Sequence, residues 1–141
     1  MSSPLRSWMA VGVASLVLAV SMAPAAMAEL TARDVLGRTV TLQAPAQRIV
    51  VTFNLEEVLA ILGPKAEGRI VGWTHDYWQG RRQWVWEKYS KALPWLGEVP
   101  DVGYVYKKTF SVEKTISLKP DLVIMIRGYE NSAAAEVAQL E

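Results

Sequence analysis

The sequence predicts an α/β fold, a three-layer lobe in which helices pack on a parallel central sheet. Three observations carry that expectation. Ser111–Ile126 (SVEKTISLKPDLVIMI) reads as a short helix, a tight turn and a buried strand with almost no slack between them. Arg48–Trp73 reads as strand, helix and strand within about 25 residues, a βαβ unit whose crossover is expected to be right-handed. Leu122–Ile126 is an unbroken aliphatic run of five residues, too short for an isolated helix and apolar on both faces, as a central strand of a parallel sheet must be.

Taken in chain order, residues 1–28 have the composition of an export signal. Arg6 supplies the positive start, Trp8–Val20 the short apolar core, and Ala26-Met27-Ala28 the small-x-small cleavage site, leaving 29–141 as the mature segment. The apolar core is shorter than the ~20 residues that span a bilayer, which weighs against an uncleaved anchor. Asp34–Leu42 (DVLGRTVTL) alternates Val35, Val40 and Leu42 with polar residues around Gly37, as a short hairpin at the margin of the fold does. Pro45 precedes the first major strand, Arg48–Phe53 (RIVVTF).

The helix after that strand has clear start signals. Asn54 is placed as N-cap, Glu57 as its capping-box partner, and Phe53 and Val58 as a hydrophobic staple. Leu55, Val58, Leu59 and Leu62 form its buried stripe, and Gly63-Pro64 stops it. Arg69–Trp73 (RIVGW) is the second strand. Gln83–Leu93 has a helical pattern, while Pro94, Gly97, Pro100 and Gly103 break the rest of 74–106 into loops.

Ser111 then caps a helix with Glu113 in its first turn and apolar contacts from Val112, Ile116 and Leu118. Pro120 ends it, because the residue before a proline, Lys119, is driven out of the α region. Asn131 or Ser132 caps an alanine-rich helix running on to Glu141. Three parallel strands with a helix leaving the third call for a fourth strand over the sheet edge, so the lobe reads as incomplete.

Composition narrows the function. The chain has no cysteine, so neither a disulfide nor a lipidated N-terminal cysteine is available, and the core alone must hold the fold. Arg6 is the one charge within 1–28, so the 15 basic and 14 acidic residues of the whole chain become 14 of each in the mature segment. Such a balance gives no support to nucleic-acid binding or to a membrane-surface role. The 113 residues of 29–141 suffice for one lobe and not for two. A cysteine nucleophile, a Gly-x-Ser-x-Gly elbow and a phosphate-cradling glycine loop are all missing, so the sequence does not read as an enzyme.

DVLGRTVTL, RIVV, a helix ending in Leu-Gly, RIVGW and LKPDLVI together resemble the N-terminal lobe of the periplasmic substrate-binding proteins of iron–siderophore, haem and cobalamin ABC importers. The resemblance runs from about Thr31 to Glu141, is most specific at DVLGRTVTL and SLKPDLVI, and is poor between Thr74 and Tyr106. The exit from the third strand, Ile126-Arg127-Gly128, is similar to the cobalamin-binding member. The resemblance implies two lobes joined by a long helix, a ligand held between them, and partners in an ABC permease and its ATPase. The bridging helix and the second lobe lie beyond the matched region, so the 141 residues carry about half of the expected ligand contacts. It also implies that Glu113, in the helix before the Lys-Pro-Asp turn, docks onto arginines of the permease, a role compatible with a carboxylate that complements the helix dipole.

Ligands of open α/β sheets sit outside the carboxyl ends of the strands. The segments leaving those ends here are Thr52-Phe53-Asn54, Trp73-Thr74-His75-Asp76-Tyr77 and Arg127-Gly128-Tyr129. Nine of the eleven Trp and Tyr residues lie between Trp73 and Tyr106, and such rings suit a flat, partly apolar chelate with polar edges. Trp73, Tyr77 and Tyr104 are candidates for ligand contact, whereas Trp84, Trp86, Tyr89 and Trp95 are expected to pack a helix on the sheet. Arg81, Arg82 and Arg127 are candidates for pairing with anionic ligand groups, Arg127 foremost because it follows a central strand; the plainer reading of each is a solvated surface arginine. His75 is the single histidine, too few for direct capture of a bare transition metal; an axial ligand to haem or iron from His75-Asp76-Tyr77 is one reading, and hydrogen bonds in a loop are the expected one.

The reading is a monomeric periplasmic solute-binding component of an ABC importer, capturing a ferric siderophore, haem, cobalamin or related metal chelate, with no cofactor of its own. The ligand set is Asn54, Trp73, Tyr77, Arg81, Tyr104 and Arg127, with Glu113 for docking. Two alternatives stay open: a binder of an oxyanion such as molybdate on the same fold, which arginines and backbone N–H groups would satisfy, and an exported protein with no transport role.

Overall fold

Three buried residues, Ile49–Val51, form the strand around which the molecule is arranged. The computed structural model describes residues 29–126 together with 138 and 140; the expected signal segment, Arg127 and the expected caps Asn131 and Ser132 lie outside the described residues. The elements are β1 (Leu30–Arg33), β2 (Thr39–Leu42), β3 (Ile49–Val51), α1 (Leu55–Leu62), β4 (Ile70–Trp73), α2 (Gln83–Ala92), α3 (Val112–Ser117) and β5 (Leu122–Ile124). β4 and β5 flank β3 and both run parallel to it, as the aliphatic runs require. The β3–β4 register shifts between Ile49 and Val50, which pair with Ile70 and Gly72 respectively.

One expectation is corrected here. Leu122–Ile126 was expected to supply a central strand; among the described residues the central strand is β3, and β5 is a shorter, half-buried strand beside it. The LKPD turn explains its placement. The Asp121 carboxylate accepts from the backbone N–H groups of Gln47 (2.7 Å) and Arg48 (2.9 Å). In return the Arg48 guanidinium donates to the carbonyls of Leu118 and Lys119 at the end of α3. Lys119 is left-handed at φ 50°, so the chain leaves α3 and enters β5 within a few residues.

Alternation along β3 creates the layers. Ile49 and Val51 join Leu55, Val58 and Leu59 of α1 and Val85 of α2 in the main core. Val50 faces the other way, where Gly72 lets α3 and its flanks approach: a Cβ there would lie 2.7 Å from Leu118 Cδ1 and 2.9 Å from Val102 Cγ1. Helices on opposite faces of a parallel sheet make the expected three-layer α/β lobe. The outer edge of β4 is covered by Pro100–Val102, through Trp73 N–H to Pro100 O and Val102 N–H to Trp73 O, each 3.1 Å.

Local corrections are few and physical. The first hairpin strand is Leu30–Arg33, ahead of the expected span; Val35 is exposed in the turn, because the Asp34 carboxylate accepts from Leu36 and Arg38 N–H and shapes the turn. The Arg38 guanidinium beside Asp34 holds that carboxyl below its ordinary range. Asn54 makes no side-chain cap on α1; the first turn carries Glu56 and Glu57, which complement the helix dipole. α3 is capped as expected, Ser111 Oγ accepting from Lys114 N–H at 3.1 Å. Ile116 on that helix is 52% exposed, however, and the buried neighbour of Val112 is Thr115, whose hydroxyl donates to Ser111 O at 2.8 Å.

Candidate functional site

The strands deliver Phe53, Thr74 and Met125 to one end of the sheet, and an aromatic cavity of about 480 Å³ lies there, lined by Phe53, Tyr77, Arg81, Tyr104, Tyr106 and Lys107. Its size falls in the range of small-molecule sites. The rings form a chain: Phe53 to Tyr77 at 4.7 Å between centroids, Tyr77 to Tyr104 at 6.0 Å, and Tyr104 to Tyr106 at 5.6 Å. Tyr104 and Val105 are the buried centre of a small second core against which Phe53, Tyr77, Phe110, Met125 and Ile126 pack, so the cavity rests on residues leaving both β3 and β5.

Two loops form its walls. Tyr77–Arg81 is a π-helical turn, closed by Arg82 N–H to Tyr77 O at 3.2 Å. In this wider turn Tyr77 and Arg81 come onto one side, and both line the cavity. The other wall is the turn Val105–Lys107, held between Tyr104 and Thr109: Tyr104 N–H donates to Thr109 Oγ1 (3.0 Å) and Thr109 N–H to Tyr104 O (3.2 Å). Gly103 starts it at φ +81°, where a Cβ would lie 2.0 Å from Thr109 O. Asp101 joins the walls, since its Oδ1 accepts from both His75 N–H and Gly103 N–H at 3.0 Å.

The lip carries two cations, one of them paired with a carboxylate. Arg81 and Lys107 bring positive charge to the lip, and the Lys107 ammonium is 2.8 Å from Asp76. Tyr104 is 4% exposed. Burial pushes its phenol above the ordinary value, with Arg81 partly opposing, so it is a neutral O–H donor rather than a phenolate. Among the described residues no three His, Cys, Asp or Glu side chains converge as a metal-ion site requires.

Of the candidate ligand residues, Tyr77, Arg81 and Tyr104 come together in the cavity. Trp73 does not: it is 0% exposed, its Nε1–H donates to Leu96 O at 3.0 Å, and its ring packs 5.3 Å from Trp86, so it is a core residue. Asn54 follows Phe53 but does not line the cavity. Arg82 turns away, pairing with Glu56 at 2.8 Å and stacking over Trp78 at 4.7 Å. Arg127 lies outside the described residues. Glu113 is exposed on the first turn of α3, accepting from Ser111 Oγ at 3.3 Å. Trp84, expected in the core, is 63% exposed, whereas Trp86, Tyr89 and Trp95 pack against it.

His75 makes the loop hydrogen bonds expected of it. Its Nε2 lies 2.9 Å from the Val99 carbonyl, which can only accept, so Nε2 carries the proton and Nδ1 faces the Gln79 amide at 3.5 Å. Burial lowers its pKa, with Asp101 partly opposing. Phe53 lines the cavity from one of the strand-end segments without having been chosen as a ligand residue, and Tyr106 and Lys107 are lining residues that the sequence reading did not select. The pattern Gly103-Tyr104-x-Tyr106-Lys107 is their signal, a turn glycine followed by two aromatic residues and a cation.

No protein-family model matches the chain, and no curated protein sequence matches it. Among solved structures the chain is similar to the crystal structure of a TroA-like periplasmic binding protein, FepB from Veillonella parvula, with a TM-score of 0.69 and 28% sequence identity. The match covers 74% of this chain and 31% of that one, so the chain spans about a third of the length of that protein. With its parallel sheet and helices on both faces, the chain has the fold of a lobe of a TroA-like periplasmic binding protein.

Proposed function

We propose that this chain is the N-terminal lobe of the periplasmic solute-binding component of an ABC importer, and that it holds a ferric siderophore or related metal chelate in the aromatic cavity. The observation that carries the proposal is the convergence of Phe53, Tyr77, Tyr104 and Tyr106 with Arg81 and Lys107 at the carboxyl end of the parallel sheet. Ring faces accept the apolar body of a chelate, phenolic O–H groups reach its oxygens, and the two cations neutralise its edge. A bare oxyanion would leave the rings without a partner, which favours the chelate. The similarity to a TroA-like periplasmic binding protein supports the class, the solute and partners being part of the proposal.

Delivery follows from the same end of the lobe. α3 begins beside the end of β4, where Ser111 N–H donates to Val102 O, and ends beside the start of β3, where Leu118 O accepts from Arg48, so Glu113 lies toward the carboxyl end of the sheet. In this reading Glu113 pairs with arginines of the permease while the ligand is held beside it.

The test is titration of the chain with hexadentate ferric chelates, haem and a corrinoid, followed by tyrosine and tryptophan fluorescence. Quenching that saturates, and that weakens about tenfold in Tyr104→Ala, is expected from loss of a stacking ring and a hydrogen bond. No saturable quenching by any of them, with no heat in calorimetry, would overturn the proposal.

A further inference from the structure

We propose that Asp76 sets the charge specificity of the aromatic cavity: its carboxylate, paired with Lys107 at the lip, is an internal competitor for the anionic edge of a ligand. The inference rests on the cavity being the ligand site. Lys107 lines the cavity, and Asp76, which holds its ammonium, is not among the lining residues. Both carboxylate oxygens lie 2.8 Å from Lys107 Nζ. Gly80 in the π turn leaves space for Asp76, since a Cβ there would come within 3.2 Å of Oδ1. Among the described residues no carboxylate pairs with Arg81, so the lip presents one cation that is free of a carboxylate and one that is already engaged.

An exposed pair of this kind is weak, so a ligand can displace it. The Lys107 and Asp76 side chains are 53% and 31% exposed, which places the pair in that class. A ligand bearing several negative charges recovers the loss through Arg81 and the released Lys107 together. Each unit of its charge is nonetheless opposed by Asp76 at nearly the same distance, so the penalty from the carboxylate grows with the charge of the ligand. The carboxylate therefore lowers the affinity for an anion in step with its charge and leaves that for a neutral chelate unchanged.

The experiment measures, on the whole chain, the ratio of affinities for two hexadentate chelates of similar size, a trianionic ferric tris-catecholate and a neutral ferric tris-hydroxamate. Asp76→Asn is expected to raise the preference for the anion about fivefold, and Lys107→Ala to lower it about fivefold. Asp76→Glu keeps the charge and is expected to stay within about twofold of the starting ratio. A role confined to holding the two loops together would change both affinities in step and leave the ratio unmoved, which would overturn the inference while the site stands. A fall in the ratio for Asp76→Asn would overturn it as well. Absence of binding by both chelates would overturn the site and this inference together.

Discussion

Ile49–Trp73 and Thr74–Phe110 share one core but are stabilised in different ways. The first is a ladder of backbone hydrogen bonds between β3 and β4 with α1 packed over it through Leu55, Val58 and Leu59. The second, outside α2, consists of short turns tied by side chains to backbone groups. Trp73 Nε1–H bonds to Leu96 O, Thr74 Oγ1 to Gly103 O, Asp101 Oδ1 to two N–H groups, and Thr109 Oγ1 to Tyr104 N–H. The contrast teaches that the cavity walls are preset by a few polar contacts, each local and each removable, whereas the sheet depends on distributed apolar burial. A rigid platform carrying loops fixed by specific bonds is how a fold supports a site without being altered by it.

The largest expected effect compares two left-handed glycines, one in each region. Gly103→Ala puts a methyl 2.0 Å from the Thr109 carbonyl oxygen at φ +81°, so the turn carrying Tyr104, Tyr106 and Lys107 must move. A loss of about 3 kcal/mol or more is expected in urea denaturation, combining a backbone clash with left-handed strain. Gly68→Ala, at φ +79° with nothing within 4 Å, is expected to lose only about 1 kcal/mol. Equal losses would mean that the loop yields freely and that its geometry is not preset.

An intermediate effect compares two aspartates that each accept from two backbone N–H groups. Asp101→Ala strands the half-buried donors of His75 and Gly103, with an expected loss of about 2 kcal/mol. Asp121→Ala uncovers Gln47 and Arg48 N–H at the exposed start of β3, where water can replace the carboxylate, so about 1 kcal/mol is expected. The reverse order would place the more demanding polar contacts at the sheet rather than at the cavity.

The same contrast explains what the sequence disclosed. RIVV, RIVGW and LVI could be read because a strand buried on both faces has one dominant requirement, aliphatic side chains, and the helices between them carry apolar residues at helical spacing. The parallel three-layer lobe followed from those patterns. Within the cavity, Tyr77, Arg81 and Tyr104 were legible as aromatic and cationic residues beyond a strand end, but Trp73 was misjudged because a β-strand tryptophan can face either core or cleft. The π turn at Tyr77–Arg81 and the bonds of Asp101 and Thr109 left no periodic trace, since each such turn is fixed by one or two individual bonds rather than by a repeated pattern of residue types. Asn54 shows the limit of a local rule: the residue type fits a cap, yet at φ −80° and ψ 50° its side chain makes no capping bond.

The smallest expected effect is a pH dependence that belongs to the loops alone. His75 sits between the two walls, its Nε2–H on the Val99 carbonyl and its ring 4.3 Å from Trp73. Burial lowers its pKa below the ordinary 6.5; Asp101 and the Val99 bond act in the opposite direction, and Lys114 adds slightly to the lowering. The folded chain therefore binds fewer protons at His75 than the unfolded chain once the pH falls to the ordinary value. Its contribution to stability is complete above that pH and is lost progressively as the pH drops from there toward the folded pKa. Stability measured from about pH 7.5 to about pH 5.5 should decline, and His75→Gln should flatten the decline, before carboxylates elsewhere begin to titrate. Because His75 N–H and Gly103 N–H share Asp101, the first amides to open should be those two, with Val50 and Val51 of β3 protected at the same pH. Simultaneous exchange at both sets would merge the regions into one cooperative unit, and the preset walls would then be a property of the whole lobe rather than of the loops.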